Sequence, residues 1–256
     1  FRRRGEYERA VRVHQHLLQR ADLSAIERQR AQHALAQDYL KAGLFDRAED
    51  AFSKLEGTSW QADARQALLV LHERSRDWTQ AIEVAGRIEA DGGASLRPRV
   101  AHYWCEMSQA ADDRGDADAG AQALQQARRA APTAARPLVM AGRRAWREQR
   151  PADALAAWDE LRHAQPQSFA LVAQDYAAAA QACQRTDAAR AALTELLERE
   201  PSLEVLRALS RLDGDAPAAH HQRLLALLQR QPTLSTALEL LGDGRQPVAA
   251  DSLPAL

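Results

Sequence analysis

Aromatic residues make up only 5% of this 256-residue chain, while hydrophobic residues as a class reach 46%. Alanine and leucine must therefore fill most of the core, and small residues with leucine suit closely packed helices. β-branched residues are too sparse for a large sheet. Lysine is almost missing: of 34 basic residues only Lys41 and Lys54 are not arginine. Net charge is −1 with a pI near 6.8, which leaves no electrostatic case for nucleic acid or for an anionic membrane surface. Cysteine is scarce as well. Cys105 and Cys183 stand far apart, neither in a C-x-x-C pair, and read as small buried hydrophobes in a reducing compartment. No apolar run reaches the roughly 18 residues of a membrane span, and no signal-peptide layout opens the chain.

Catalytic constellations are lacking too. There is no glycine-rich phosphate loop, no G-x-S-x-G elbow and no H-E-x-x-H pair. His220 and His221 are adjacent, so on a helix they diverge by about 100° and do not share a metal easily. His14 and His16 are no better spaced. Asp112-Asp113 reads as solvation of a helix end. The expectation is a chain without catalytic, cofactor-binding or metal-ligating residues.

What is present is a repeat. In Gly43–Leu55 a glycine suited to a left-handed helix end precedes Asp46, whose carboxylate suits a helix start. Ala48, Phe52 and Leu55 then follow at helical spacing. Leu35 and Tyr39 lie on the facing side of the preceding helix, and Ala48 is small where the two helices cross. This is a helix hairpin with the small/large pattern of a tetratricopeptide (TPR) repeat. Gly5–Val11 with Leu17 repeats the second half of the pattern. Leu68, His72 and Asp77–Ile82 with Ile88 give a third copy. Trp104, Met107, Gly115-Asp116, Gly120 and Leu124 give a fourth, after the loose Gly92–Pro98 connection.

Beyond that point prolines mark the period, Pro132, Pro166 and Pro201 being 34 and 35 residues apart. Gly142, Ala154, Trp158 and Leu161 build a fifth unit, and Tyr176, Ala189, Leu193 and Leu196 a sixth. A shorter seventh carries Leu206, Leu209, Leu224, Leu227 and Leu228, and a last helix is expected near Leu234–Leu241. Each hairpin leaves an apolar face that only its neighbour can cover. The expected fold is all-α, a right-handed TPR superhelix of stacked hairpins over residues 1–241, the first helix of each pair lining the concave side. Residues 242–256 read as a flexible tail.

Among the tryptophans, Trp78, Trp104 and Trp158 occupy positions that pack between helices and are expected in the core. Trp146 falls on the concave side of its helix with Arg143 and Arg147 close by and Arg136 two turns earlier. An exposed aromatic flanked by arginines has the composition of a partner-binding hot spot. The alternative is a ring that covers a neighbouring helix beside solvated arginines.

Four strings carry a narrower resemblance: Ala10–Gln15, Asp38–Asp50, Asp77–Ile82 and Val100–Glu106. In these and their spacing the chain resembles lipopolysaccharide assembly protein B of Gram-negative bacteria. That resemblance implies a TPR array on the cytoplasmic face of the inner membrane, attached by an N-terminal anchor and followed by a rubredoxin-like metal domain with two C-x-x-C pairs. Neither feature lies in this chain, which reads as a piece of something longer. It further implies a non-enzymatic adaptor whose partners are proteins: a membrane-bound ATP-dependent protease, the deacetylase that commits material to lipid A, and other lipopolysaccharide assembly proteins. The competing reading is the regulatory TPR arm of an enzyme such as an N-acetylglucosaminyl transferase.

Overall fold

The structure is a computed structural model that describes residues 7–199 and 202–213. Among these the chain is helical throughout, with no strand. α1 (Tyr7–Leu18) stands first, followed by hairpins α2 (Ala25–Lys41) with α3 (Phe45–Ser53), and α4 (Gln61–Ser75) with α5 (Trp78–Ala90). Next come α6 (Arg97–Asp113) with α7 (Ala117–Ala130), and α8 (Ala135–Arg147) with α9 (Pro151–Ala164). The sixth hairpin opens on α10 (Pro166–Phe169) and a 3-10 turn (Ala170–Val172), then joins α11 (Ala173–Ala182) to α12 (Thr186–Arg199). α13 (Leu203–Asp213) begins the seventh. The fold is the expected TPR array of helix hairpins. Gly5, Leu224, Leu227, Leu228, the helix expected at Leu234–Leu241 and the tail lie outside the described residues.

Among the described residues one turn is used five times. Gly43, Arg76, Gly115, Gln149 and Gln184 each take a left-handed backbone, with φ between 56° and 79°. The residue after each donates its N–H five residues back: Leu44 to Tyr39, Asp77 to His72, Asp116 to Ala111, Arg150 to Ala145 and Arg185 to Ala180, at 2.8–3.0 Å. This is the long bond of a Schellman motif, which satisfies a carbonyl at the helix end. That same residue starts the next helix, accepting from the N–H of Ala48, Ala81, Gly120, Ala154 or Ala189. A single left-handed residue thus reverses the chain, and the small crossing residue follows four positions after the helix start.

The chain divides into two compact units between Ala131 and Pro132, where the repeat pattern reads as one continuous stack. In the first, Leu35, Phe52, Leu55, Leu68, Leu69, Ile88 and Tyr103 form the core. Ala48 is fully buried at its crossing. α1 docks on α2 through the buried Asp38 carboxylate, 2.6 Å from His14 Nδ1, and through Gln15, which donates to the Tyr39 hydroxyl at 2.7 Å. Arg65 stitches the start of α4 to the ends of two other helices. It makes a paired contact with Glu56 at 2.9 and 3.0 Å, bonds the Arg87 carbonyl and pairs with Asp91.

In the second unit Leu138, Trp158, Leu161, Phe169, Tyr176, Leu193, Leu206 and Leu209 are buried together. Gly142 and Trp158 hold the glycine and aromatic positions of the repeat signature. A Cβ added to Gly142 would lie 2.1 Å from Trp158 Nε1, so the indole lies directly on the α8 backbone. The expectation of three core tryptophans holds only for Trp158. Trp78 and Trp104 are half-buried, because each has one face on the helices and the other toward a cleft.

Candidate partner-binding surface

α8 carries four arginines (Arg136, Arg143, Arg144 and Arg147) and no acidic residue. Helical spacing brings Arg143, Trp146 and Arg147 to one turn at i, i+3 and i+4, with Arg136 seven residues before Arg143. Arg143 is half-exposed and reaches α11: it donates to the Leu171 carbonyl at 3.1 Å and lies 3.6 Å from Asp175. Arg144 instead turns to Glu148 at 2.9 Å. Arg147 is exposed and Arg136 half-buried.

Of the two readings of Trp146 that the sequence leaves open, the geometry favours a ring that covers its neighbours. It is half-buried and packs against the core of the second unit. A wheel of the helix gives the side on which a residue lies, not how deeply its neighbours cover it. Further along, Gln174 donates to Glu204 at 3.0 Å, and Gln181 bonds both the Arg211 carbonyl and the Arg211 side chain. The first helices α8, α11 and α13 are therefore linked in series by polar side chains, and Leu171 is 65% exposed beside Arg143.

The first unit holds a second cluster that periodicity alone did not flag. Glu73 on α4 accepts from Arg99 Nη2 at 2.7 Å, from Arg99 Nε at 3.2 Å and from the Tyr103 hydroxyl. Burial works against the Glu73 carboxylate, but the Tyr103 and Arg99 bonds outweigh it and hold its pKa below the usual range. Burial first, and then the Glu73 carboxylate, push the Tyr103 phenol up to about 12. The Trp78 ring stacks on Tyr103 with centroids 5.6 Å apart. The far side of Trp78, together with Trp104 and Met107, lines a cleft of about 820 Å³ between α5 and α7 over α6.

The resemblance implies a metal domain with two C-x-x-C pairs, and the cysteines present do not fit one. Cys105 is buried on α6, and Cys183 is half-buried at the cap of α11. Among the described residues no group of three His, Cys, Asp or Glu side chains is placed to hold a metal ion. Among them, too, no helix is long and apolar enough to cross a membrane.

No protein-family model matches the chain. Over 144 residues, 56% of its length, it is 38% identical to a protein of Escherichia coli K12 named lipopolysaccharide assembly protein B. The chain is a homologue of that protein. A Haemophilus influenzae protein of the same name is 32% identical over 115 residues. The matched stretches are 37% of the E. coli protein and 28% of the Haemophilus one, so the match spans well under half of either relative. Among solved structures, a complex described as Naa15/Naa10 bound to HypK-THB aligns over 96% of this chain and 38% of its own. The TM-score is 0.54 at 18% identity, a likeness of fold.

Proposed function

We propose that this chain is the scaffold portion of a lipopolysaccharide assembly protein, binding protein partners and carrying out no chemistry itself. Its 38% identity to relatives named for lipopolysaccharide assembly carries that reading. In the finer form of the proposal, the intact protein holds the lipid A-committing deacetylase for a membrane-bound ATP-dependent protease and so limits lipopolysaccharide synthesis. It does so at the cytoplasmic face of the inner membrane. The anchor and the metal-holding cysteine pairs belong to parts of the protein beyond this chain. Arg136, Arg143, Trp146 and Arg147 are the proposed partner contacts, their guanidinium groups suited to acidic side chains on an incoming segment.

The test is degradation of the purified deacetylase by the purified protease, with and without the intact protein. Degradation should speed up when the protein is added. Arg143→Glu with Arg147→Glu should abolish the gain while leaving the melting temperature within a few degrees. Trp146→Ala should weaken partner binding by about 2 kcal/mol or more. It should also lower stability, because its ring packs on the core. Degradation that does not respond to the protein would overturn the finer reading, and unchanged binding by both variants would overturn the assignment of these residues.

A further inference from the structure

The charges of the second unit are sorted by helix. Its first helices α8, α11 and α13 carry six arginines against three acidic residues, while its second helices α9 and α12 carry three arginines against six. In the first unit the corresponding first helices α2, α4 and α6 are balanced, with seven cationic and seven acidic residues. Among the described helices the excess therefore belongs to one layer of one unit. Surface charge of one sign attracts ligands of the other.

Read across the three helices, Arg143 and Arg147 of α8 and Arg207 and Arg211 of α13 are exposed, with α11 linked to both sides. Of the three acidic residues, Asp213 turns away to Arg190 of α12 at 3.1 Å and is nearly buried. Asp175 lies 3.6 Å from Arg143 and Glu204 3.3 Å from Arg207, so each offsets one arginine. The Arg211 guanidinium has the neutral amide of Gln181 as its partner, at 3.3 Å. A positive excess remains, and guanidinium groups pair well with carboxylates. Leu171, on the 3-10 turn that leads into α11, is 65% exposed among these cations. An apolar side chain there favours a ligand with apolar groups of its own over a chain of phosphates. Single-stranded nucleic acid also stacks its bases on open rings, whereas Trp146 is half-buried on the core. The excess is one helix layer deep and backed by a layer of opposite excess, which suits a narrow ligand rather than a broad anionic membrane.

Packed helices lie about 8–10 Å apart, so the arginines of α8 and α13 are roughly 20 Å from each other, a gap that about six residues of extended chain span. We infer that this face takes an extended segment of a partner protein in which two acidic groups, about six residues apart, flank an apolar side chain. One acidic group meets Arg143 and Arg147, the other meets Arg207 and Arg211, and the apolar side chain covers Leu171. The inference rests on the scaffold reading for its α8 contacts and carries the site across two further helices.

The probe is a fluorescein-labelled peptide with two aspartate pairs about six residues apart and a leucine midway, titrated by polarisation against the full chain. Peptides with lysine for aspartate and with serine for leucine, oligouridylate and phosphatidylglycerol vesicles are run beside it. The acidic peptide should bind, more weakly as salt rises. Arg207→Glu with Arg211→Glu should weaken it by about tenfold or more, as expected for reversed charges at a contact. If that variant melts early, Arg211→Gln replaces it, with a smaller loss expected. Leu171→Ser, at an exposed position, should weaken binding by about threefold or more without moving the melt. The lysine peptide should not bind, and the serine peptide should be insensitive to Leu171→Ser. Absent binding of the acidic peptide, equal binding of the lysine peptide, indifference to the α13 and Leu171 variants, or tighter binding of oligouridylate or vesicles would each overturn the inference. If Arg143→Glu with Arg147→Glu abolishes assisted degradation while the α13 and Leu171 variants keep it and bind the peptide normally, this inference fails alone. Peptide binding that is lost on the α13 reversal, with no degradation that responds to the protein, fails only the degradation reading.

Discussion

Gly142 and Gly86 are both interior helix glycines, yet substitution should act on them with opposite signs. An alanine generally stabilises a helix over glycine by about 0.5–1 kcal/mol. At Gly86 a Cβ would meet nothing within 4 Å, so Gly86→Ala should show that gain in urea denaturation. At Gly142 the same atom collides with the Trp158 indole. Gly142→Ala should therefore cost about 1–3 kcal/mol through overpacking, and much less in a Trp158→Leu background, where a double-mutant cycle reads the coupling. Among the described residues the buried Trp158 N–H has no partner, so the ring is held by contact. Tyr103 makes a different kind of prediction. Its folded pKa, near 12, lies above the ordinary value of 10, so the neutral phenol is favoured in the folded state. That contribution is complete below pH 10 and is lost as pH rises through 12. Burial and the Asp159 contact raise Tyr176 as well, so a tyrosine titration by phenolate absorbance should show two late-ionising groups, one of which Tyr103→Phe removes. Loss of neither on that substitution would contradict the Glu73 contact. The core role of Trp158 was legible from its place in the repeat. The half-exposure of Trp78 and Trp104 was not, and for Trp146 the pattern left both readings open, because depth depends on the neighbouring hairpin rather than on the helix's own pattern.

Among the elements, the turns were only partly legible. Gly43 and Gly115 announce a left-handed position, whereas Arg76, Gln149 and Gln184 do not, although they occupy the same point of the hairpin. There the flanking helices and the five-residue hydrogen bond impose the conformation on a side chain that resists it. Gln149→Gly and Gln184→Gly should each stabilise by about 1 kcal/mol by relieving that resistance, and Gly115→Ala should cost a similar amount. Thermal melts of the three variants check this; three shifts of one sign would mean that the turn residue is not what limits the hairpin. The small crossing residues were legible in full, since Ala48, Ala81, Ala154 and Ala189 are all at or below 1% exposure.

At the level of the whole chain, the period identified the hairpins but not the division between Ala131 and Pro132. Nothing distinguishes that junction in the proline spacing, because the signature residues continue across it. The two cores nonetheless separate, one centred on Phe52, Leu69 and Tyr103, the other on Trp158, Phe169 and Leu193. In a stack of repeats a local defect acts first on its own neighbours. Gly142→Ala should accelerate amide exchange across α8, α9 and α11 while leaving α4 and α6 near their parental rates. Uniform acceleration along the chain would mean that the units unfold as one.

The recurring turn also makes the chain editable. In the second unit Gln149 and Gln184 have the same conformation, and Arg150 and Arg185 make the same bond back to the preceding helix. Excising residues 150–184 would splice Gln149 directly onto Arg185 without altering the reversal, so that α8 meets α12 as it now meets α9. Lengthening and shortening by whole periods are thus open to recombination within a gene without a new loop having to be invented. An array of this kind can change its reach while every junction stays chemically the same.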